Sequence, residues 1–292
     1  MTSWHNLVGL GGMVKMRLHF LRWAPAHPGP GTGTLVFLHG MGGTGSIWRP
    51  IAAQLEDTFD CIAPDQRGHG KSRPVPAGEE ERFHASDYAR DVSELLSELG
   101  IERYFLVGHS MGVRTALALA NREPQKVRGV VAIDLGVSPD WGGGIGVPLA
   151  NFIRNLPESF PDRSSMRTRL EADCPDPAIA QYLCAVAQKT AAEPETWKFP
   201  FEHEALVKTI FQAHQAPLRE WLMNALSNGV PVRFLRGANS KVWLKEDYEA
   251  LKRSLPHPLL TLEEWENCGH GLPFEQRIRL IALLRESSAR DH

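Results

Sequence analysis

The sequence predicts an α/β fold: a mostly parallel sheet with helices on both faces and a helical insertion placed late in the order of elements. Three observations carry this. Short apolar runs end repeatedly in glycine or a polar residue. The stretches between them have the 3.6-residue apolar period of helices. After residue 137 that alternation gives way to a long, proline-punctuated, mainly helical stretch.

Taken in order, KMRLHFLRW (15–23) alternates as an amphipathic strand, and APAHPGPGTG after it is a turn-rich loop. TLVFLHG (34–40), FDCIAPD (59–65), YFLVGHS (104–110) and VRGVVAIDLG (127–136) read as strands covered on both faces, since an unbroken apolar run marks a strand with no wet side. In FHASDYARDVSELLSELG, Tyr88, Val92, Leu95, Leu96 and Leu99 share one helix face, and Gly100 suits the exit. MGVRTALALANRE (111–123) is an Ala/Leu-rich helix that starts directly after Ser110. From Ser138 to about Pro217 helical patterns dominate, as in AIAQYLCAVAQKTAAE (178–193) and HEALVKTIFQAH (203–214), and WGGGIG offers a hinge. Strand character returns at PVRFLRG (231–237) and LLTLEEW (259–265), and FEQRIRLIALLRES (274–287) closes as an amphipathic helix. The expected organisation is a core made of residues 1–137 and 218–292, with a helical cap at 138–217.

A chain of 292 residues suffices for one such core with an insert and needs no metal or disulfide to hold it. With 32 basic and 34 acidic residues the formal charge is -2, which gives no reason to expect nucleic acid or an anionic membrane as partner. Cys61, Cys174, Cys184 and Cys268 are scattered without a CxxC pair and read as reduced, structural thiols. No stretch has the pattern of a signal peptide or the roughly 18 apolar residues of a spanning helix, so the expectation is a cytoplasmic protein. Composition says nothing about oligomeric state.

VGHSMGV (107–113) is the sharpest local signal. Gly108 and Gly112 flank Ser110 at a strand-to-helix turn tight enough to push the hydroxyl into the open, with the amides of the next helix facing it. A serine hydroxyl is a poor nucleophile until a base takes its proton. His270, in a glycine-flanked loop after the last strand, is the candidate base, whereas His109 adjoins the serine but is expected to point away from it. The backbone amides of Met41, in HGMGG (39–43), and of Met111 are the candidate oxyanion donors. DQRGHGKS (65–72) reads as a scaffold packed behind that loop, with Asp65 and Arg67 as a pair. It lacks the spacing of a phosphate loop, and no HExxH, calcium loop or Cys/His cluster occurs, so neither cofactor nor metal is expected.

HGMGG, DQRGHG, GHSMG and CGHG, in this order, resemble the α/β-hydrolase family over nearly the whole chain. The resemblance implies a mostly parallel eight-stranded sheet flanked by helices, a nucleophile after strand five, an acid after strand six or seven, a histidine after strand eight, and a helical cap inserted after strand six. RGANSKVW (236–243) departs from the family's G-x-x-D pattern after strand seven. The acid is then Asp134, at the end of an apolar run 24 residues after Ser110, or Asp247, ten residues past Gly237 in what reads as a helix, or no carboxylate at all. Asp134 is preferred because it falls at the same sheet edge as Ser110 and His270. GHSMG with an acid after strand six and a GxNS loop after strand seven is similar to a subgroup of small hydrolases and esterases. Asn239 and Ser240 receive no chemical step.

What this implies is a serine hydrolase that cleaves a carboxylic ester of a small to medium, partly apolar substrate through an acyl-enzyme. A lactonase, a thioesterase or a carbon–carbon bond hydrolase would use the same three residues, and a non-catalytic binding protein on the same fold is the alternative from another class. His39, Trp141, Trp197 and Trp221 are candidates to line the pocket, the tryptophans being equally suited to packing the cap on the core. Arg154, Arg163, Arg167 and Arg169 suit either an anionic substrate group or a solvated helix face.

Overall fold

The structure is a computed structural model, and it describes residues 15–27, 29, 32–138, 146–191, 194–213 and 215–288. Its first half alternates as expected: β1 (Phe20–Trp23), β2 (Gly33–Leu38), a short α1 (Arg49–Ala52), β3 (Phe59–Pro64), α2 (Ala85–Glu98), β4 (Tyr104–His109), α3 (Met111–Arg122) and β5 (Val127–Ile133). The insertion follows, with α4 (Gly146–Arg154), α5 (Arg163–Asp173), α6 (Pro177–Val186), β6 (Gln188–Lys189), β7 (Trp197–Lys198) and α7 (His203–Ala213). The chain then returns through α8 (Leu218–Ser227), β8 (Val232–Gly237), α9 (Lys245–Ser254), β9 (Leu260–Trp265), α10 (Leu272–Glu275) and α11 (Arg277–Ser288).

Seven strands form the sheet among the described residues, in the order β1-β3-β2-β4-β5-β8-β9, rather than the eight that the family resemblance implies. All neighbours are parallel except β1, which runs antiparallel to β3, so the sheet is mixed. An edge strand has the same apolar pattern in either direction, which is why the sequence does not reveal this. The strand that carries Ser110 at its end, β4, is the central one.

Unbroken apolar runs produce a sheet with two dry faces. Val36, Leu38, Leu106, Val130 and Phe234 join one core cluster with α2, α3, α8 and α9. Their sequence neighbours Leu35, Phe37, Val107, Val131 and Leu235 join the other, with α1 and α11. Successive residues face opposite sides, as the pleat requires.

The insertion has its own cluster, from Leu149 and Phe152 on α4 to Leu206 and Ile210 on α7. Its helices start where the sequence allows caps: Asp162 accepts from the Ser165 amide, and Asp176, with Pro177 after it, accepts from the amides of Ala178 and Ile179. The stretch 178–193 is not one helix, because α6 ends at Val186 and the antiparallel pair β6–β7 follows. The WGGGIG hinge lies at the edge of the described residues, only its last glycine being within them. Among the described residues no helix is long and apolar enough to cross a membrane.

Candidate active site

Three loops at the carboxyl edge of the sheet bring the candidate side chains together. Ser110 follows β4 at once, with φ 53 and ψ -118, a conformation that L-residues rarely adopt and that the surrounding contacts must hold. Space explains the flanking glycines. A Cβ on Gly112 would stand 2.2 Å from the Leu38 carbonyl oxygen, and one on Gly108 would stand 2.4 Å from that of Gly112. Asp134 follows β5 with φ 52, and its amide donates to the Leu235 carbonyl at 2.8 Å. His270 lies in the loop between β9 and α10.

Their side chains form a connected line. His270 Nε2 stands 3.1 Å from Ser110 Oγ, and its Nδ1 stands 2.8 Å from Asp134 Oδ2. A carboxylate only accepts, so Nδ1 donates, which leaves Nε2 to accept from the serine hydroxyl. Asp134 is fully buried and His270 is 26% exposed. The loop after β8 closes on the acid from the other side: the Gly237 amide donates to Oδ1 at 2.9 Å, and the Ser240 hydroxyl meets Oδ2 at 2.5 Å. Asp247 sits in the first turn of α9, while the Nδ1 of His270 is taken by Asp134. His109 turns onto the base, its Nε2 donating to the His270 carbonyl at 2.7 Å with the rings 4.8 Å apart.

Met111 is the first residue of α3, where a helix amide has no acceptor in its own helix. In HGMGG, the Gly43 amide is used by the Gly40 carbonyl and the Gly42 amide by His69 Nε2, at 3.1 and 3.0 Å. Among the described residues neither the Met41 nor the Met111 amide meets an acceptor, so both remain available donors.

Two buried histidines clasp this loop to DQRGHG. His39 Nε2 accepts from the Gln66 amide at 2.9 Å, and His69 Nε2 accepts in return from Gly42. Each donates its Nδ1 hydrogen to a backbone carbonyl, Gly40 for His39 and Arg67 for His69, both at 2.8 Å. Burial pushes both below the usual histidine range, His39 to about 4 and His69 to about 3, so both are neutral, as an accepting Nε2 demands. Burial, then the nearby His270, pushes His109 down to about 3 as well. The expected Asp65–Arg67 pair does not form. Asp65 accepts from the amides of Gly45 and Lys71 and meets His19, while Arg67 reaches Asp91 with two hydrogen bonds of 2.6 and 2.7 Å, and Glu79 at 3.2 Å.

The expected pocket residues fare differently. His39 is fully buried and braces loops instead of lining a pocket, because both ring nitrogens are taken by backbone. Trp197 pairs through its backbone with Phe160, packs on the insertion's cluster and lies under the Arg163 guanidinium at 5.4 Å. Trp221 packs on the sheet's core cluster, and Trp141 lies outside the described residues. The residues that do meet the HGMGG loop are others. A Cβ on Gly42 would stand 3.3 Å from Phe201 and 3.7 Å from Leu183, and one on Gly43 would stand 2.9 Å from the Tyr182 hydroxyl. Met41 packs against both the insertion's cluster and the small cluster of Phe83, Tyr88, Met111 and Ala205. The short apolar triplet FPF (199–201) is the sequence signal for Phe201, which forms a backbone bridge with His69.

Comparison with known proteins bears on the fold. A family model described as the alpha/beta hydrolase fold matches residues 33–259. The 2-(acetamidomethylene)succinate hydrolase of Mesorhizobium japonicum is 42% identical over 105 residues, 36% of each chain. A putative carbamate hydrolase RutD of Yersinia enterocolitica is 39% identical over 106 residues, 36% of this chain and 37% of that one. The chain thus spans little more than a third of the length of these relatives. Among solved structures, an E-2-(acetamidomethylene)succinate hydrolase aligns with a TM-score of 0.72 at 25% identity over 92% of this chain and 94% of its own. A marine microorganism esterase aligns with a TM-score of 0.72 at 21% identity, over 93% and 99%, a likeness of fold alone.

Proposed function

The chain belongs to the α/β-hydrolase fold family, and on that premise we propose that it is a serine hydrolase cleaving a carboxylic ester of a small to medium, partly apolar substrate. The observation that carries this is the unbroken line from Ser110 Oγ through His270 to Asp134, at 3.1 and 2.8 Å. Ser110 Oγ attacks the ester carbon while His270 Nε2 takes its proton. The carbonyl π electrons move to oxygen, where the amides of Met41 and Met111 meet the new charge. Asp134 holds the imidazole in the accepting tautomer and stabilises the imidazolium. As the tetrahedral adduct collapses, the ester C–O bond breaks and the imidazolium returns the proton to the leaving alkoxide. Water, deprotonated by the same nitrogen, then releases the acid and restores Ser110.

We read residues 138–217 as a cap over this site, with the core made of 1–137 and 218–292. What supports it is the packing of Phe201 and Leu183 near Gly42 and of Met41 into the insertion's cluster. A second reading keeps the same steps but places nitrogen on the leaving side of the carbonyl, as the names of the two relatives suggest. A fluorophosphonate should add once, at Ser110, and Ser110→Ala should abolish both the adduct and turnover. A panel of p-nitrophenyl esters, lactones, thioesters, amides and carbamates separates the substrate classes. An adduct at another residue with full activity in Ser110→Ala overturns the reading.

A further inference from the structure

We propose that Ser240 is a positioning residue for the proposed triad: its hydroxyl holds the Asp134 carboxylate in the orientation that serves His270. The inference rests on the serine-hydrolase reading and extends it to a loop that carries no acid of its own.

A count of protons fixes the direction of the bond. Ser240 Oγ lies 3.2 Å from the Val242 amide and 3.3 Å from the Trp243 amide, both of which can only donate. With its lone pairs facing those amides, the hydroxyl has one hydrogen left to give, and Asp134 Oδ2 stands 2.5 Å away. Ser240 is 6% exposed and Asp134 is fully buried, so water does not compete freely for either. The carboxylate is thereby held by Gly237 on Oδ1 and by Ser240 and His270 on Oδ2, a set of donors that suits an ionised acid.

The loop itself is tied down for this purpose. The Ser240 amide donates to the Gly237 carbonyl, closing a turn, and the Asn239 amide donates to the Cys268 carbonyl, both at 2.9 Å. The second bond joins the loop to the segment that carries His270 two residues later. Gly237 has to be glycine for this contact, because a Cβ there would stand 2.3 Å from the Gly269 carbonyl oxygen. RGANS therefore contributes two donors to an acid that arrives from β5.

The test reads nucleophile activation without needing the natural substrate. The parent, Ser240→Ala and Ser240→Thr are inactivated with a fluorophosphonate, and the maximal rate is separated from the reagent's affinity, with thermal melting to establish that each variant is folded. Loss of one hydrogen bond to a charged group predicts a maximal rate about 10- to 100-fold lower in Ser240→Ala, with affinity within about twofold of the parent. Ser240→Thr, which keeps the hydroxyl, should recover most of that rate. Parental kinetics in folded Ser240→Ala overturn the proposal alone, as does an equal loss in folded Ser240→Thr. A parent that takes no label at Ser110 overturns the serine-hydrolase reading and this proposal with it.

Discussion

Asp134 is where local backbone and chemistry meet. Its positive φ of 52 lies in a region that costs a side-chain-bearing residue free energy, and the Leu235, Gly237, Ser240 and His270 contacts fix it there. On the proposed mechanism the side chain fixes the tautomer of His270, so Asp134→Asn, which presents an amide where a carboxylate should accept, is expected to lower kcat by about 10³- to 10⁴-fold with the fold retained. Asp247, half-buried at the start of α9, lies outside the line from Ser110 to Asp134, and Asp247→Asn should stay near the parental rate. Steady-state assays of both variants on one ester decide the matter. A large loss in Asp247→Asn with none in Asp134→Asn reverses the assignment.

At the scale of elements, the reciprocal clasp of His39 and His69 joins two loops that each pack against something else. The DQRGHG loop also holds the insertion: the Gly70 amide donates to Pro200 at 2.6 Å, the Glu202 amide donates to Gly68 at 2.9 Å, and Arg73 reaches the Phe201 carbonyl at 3.2 Å. The position of the Met41 amide therefore depends on His69, so His69→Ala should lower kcat more than it raises KM, by roughly 10-fold or more from one misplaced oxyanion donor. A parental kcat in folded His69→Ala would show that the loop keeps its shape without the clasp. This clasp was only partly legible in the sequence. GHSMG and CGHG declare themselves because strand, turn and helix follow one another locally, and the strands stand out as apolar runs from β2 to β5 and as mixed strand-like patterns at β1, β8 and β9. The bracing role of His39 is hidden because its partner, Gln66, is 27 residues away, and that of Ser240 because its partner, Asp134, is 106 residues away. The pair β6–β7 has two residues per strand, too few for any period to show.

For the molecule as a whole, three neutral histidines buried around one sheet edge set a limit on stability in acid. Burial lowers His39 to about 4 and both His69 and His109 to about 3, against about 6.5 for histidine in an unfolded chain. Between those values the unfolded chain binds protons that the native state refuses, and stability rises with pH wherever the unfolded state binds more. Stability is therefore complete above about 6.5 and is lost as pH falls through 6 and 5 toward 4. The loss is on the order of 1 kcal/mol per pH unit for each histidine, large against a typical total of about 5–15 kcal/mol. Carboxylates held low by basic partners, such as Glu79 beside Arg90 and Arg67, and Glu264 beside Lys245 and Arg236, lose their contribution only below their ordinary value near 4.5. In the interval from 6.5 to 4.5 the three histidines, joined by His203, which burial also lowers, act against Asp91, whose carboxyl burial raises to about 6 and which therefore contributes with the opposite sign. Urea unfolding at pH 7.5, 6.5, 5.5 and 4.8 should give a falling free energy across that interval, because the buried histidines outnumber the one opposing carboxyl, and His109→Asn, which removes one of them, should reduce the slope. A free energy that stays level from 7.5 to 4.8 would mean that these rings take up protons in the folded state, which the burial of all three and the hydrogen bonds accepted by His39 and His69 argue against.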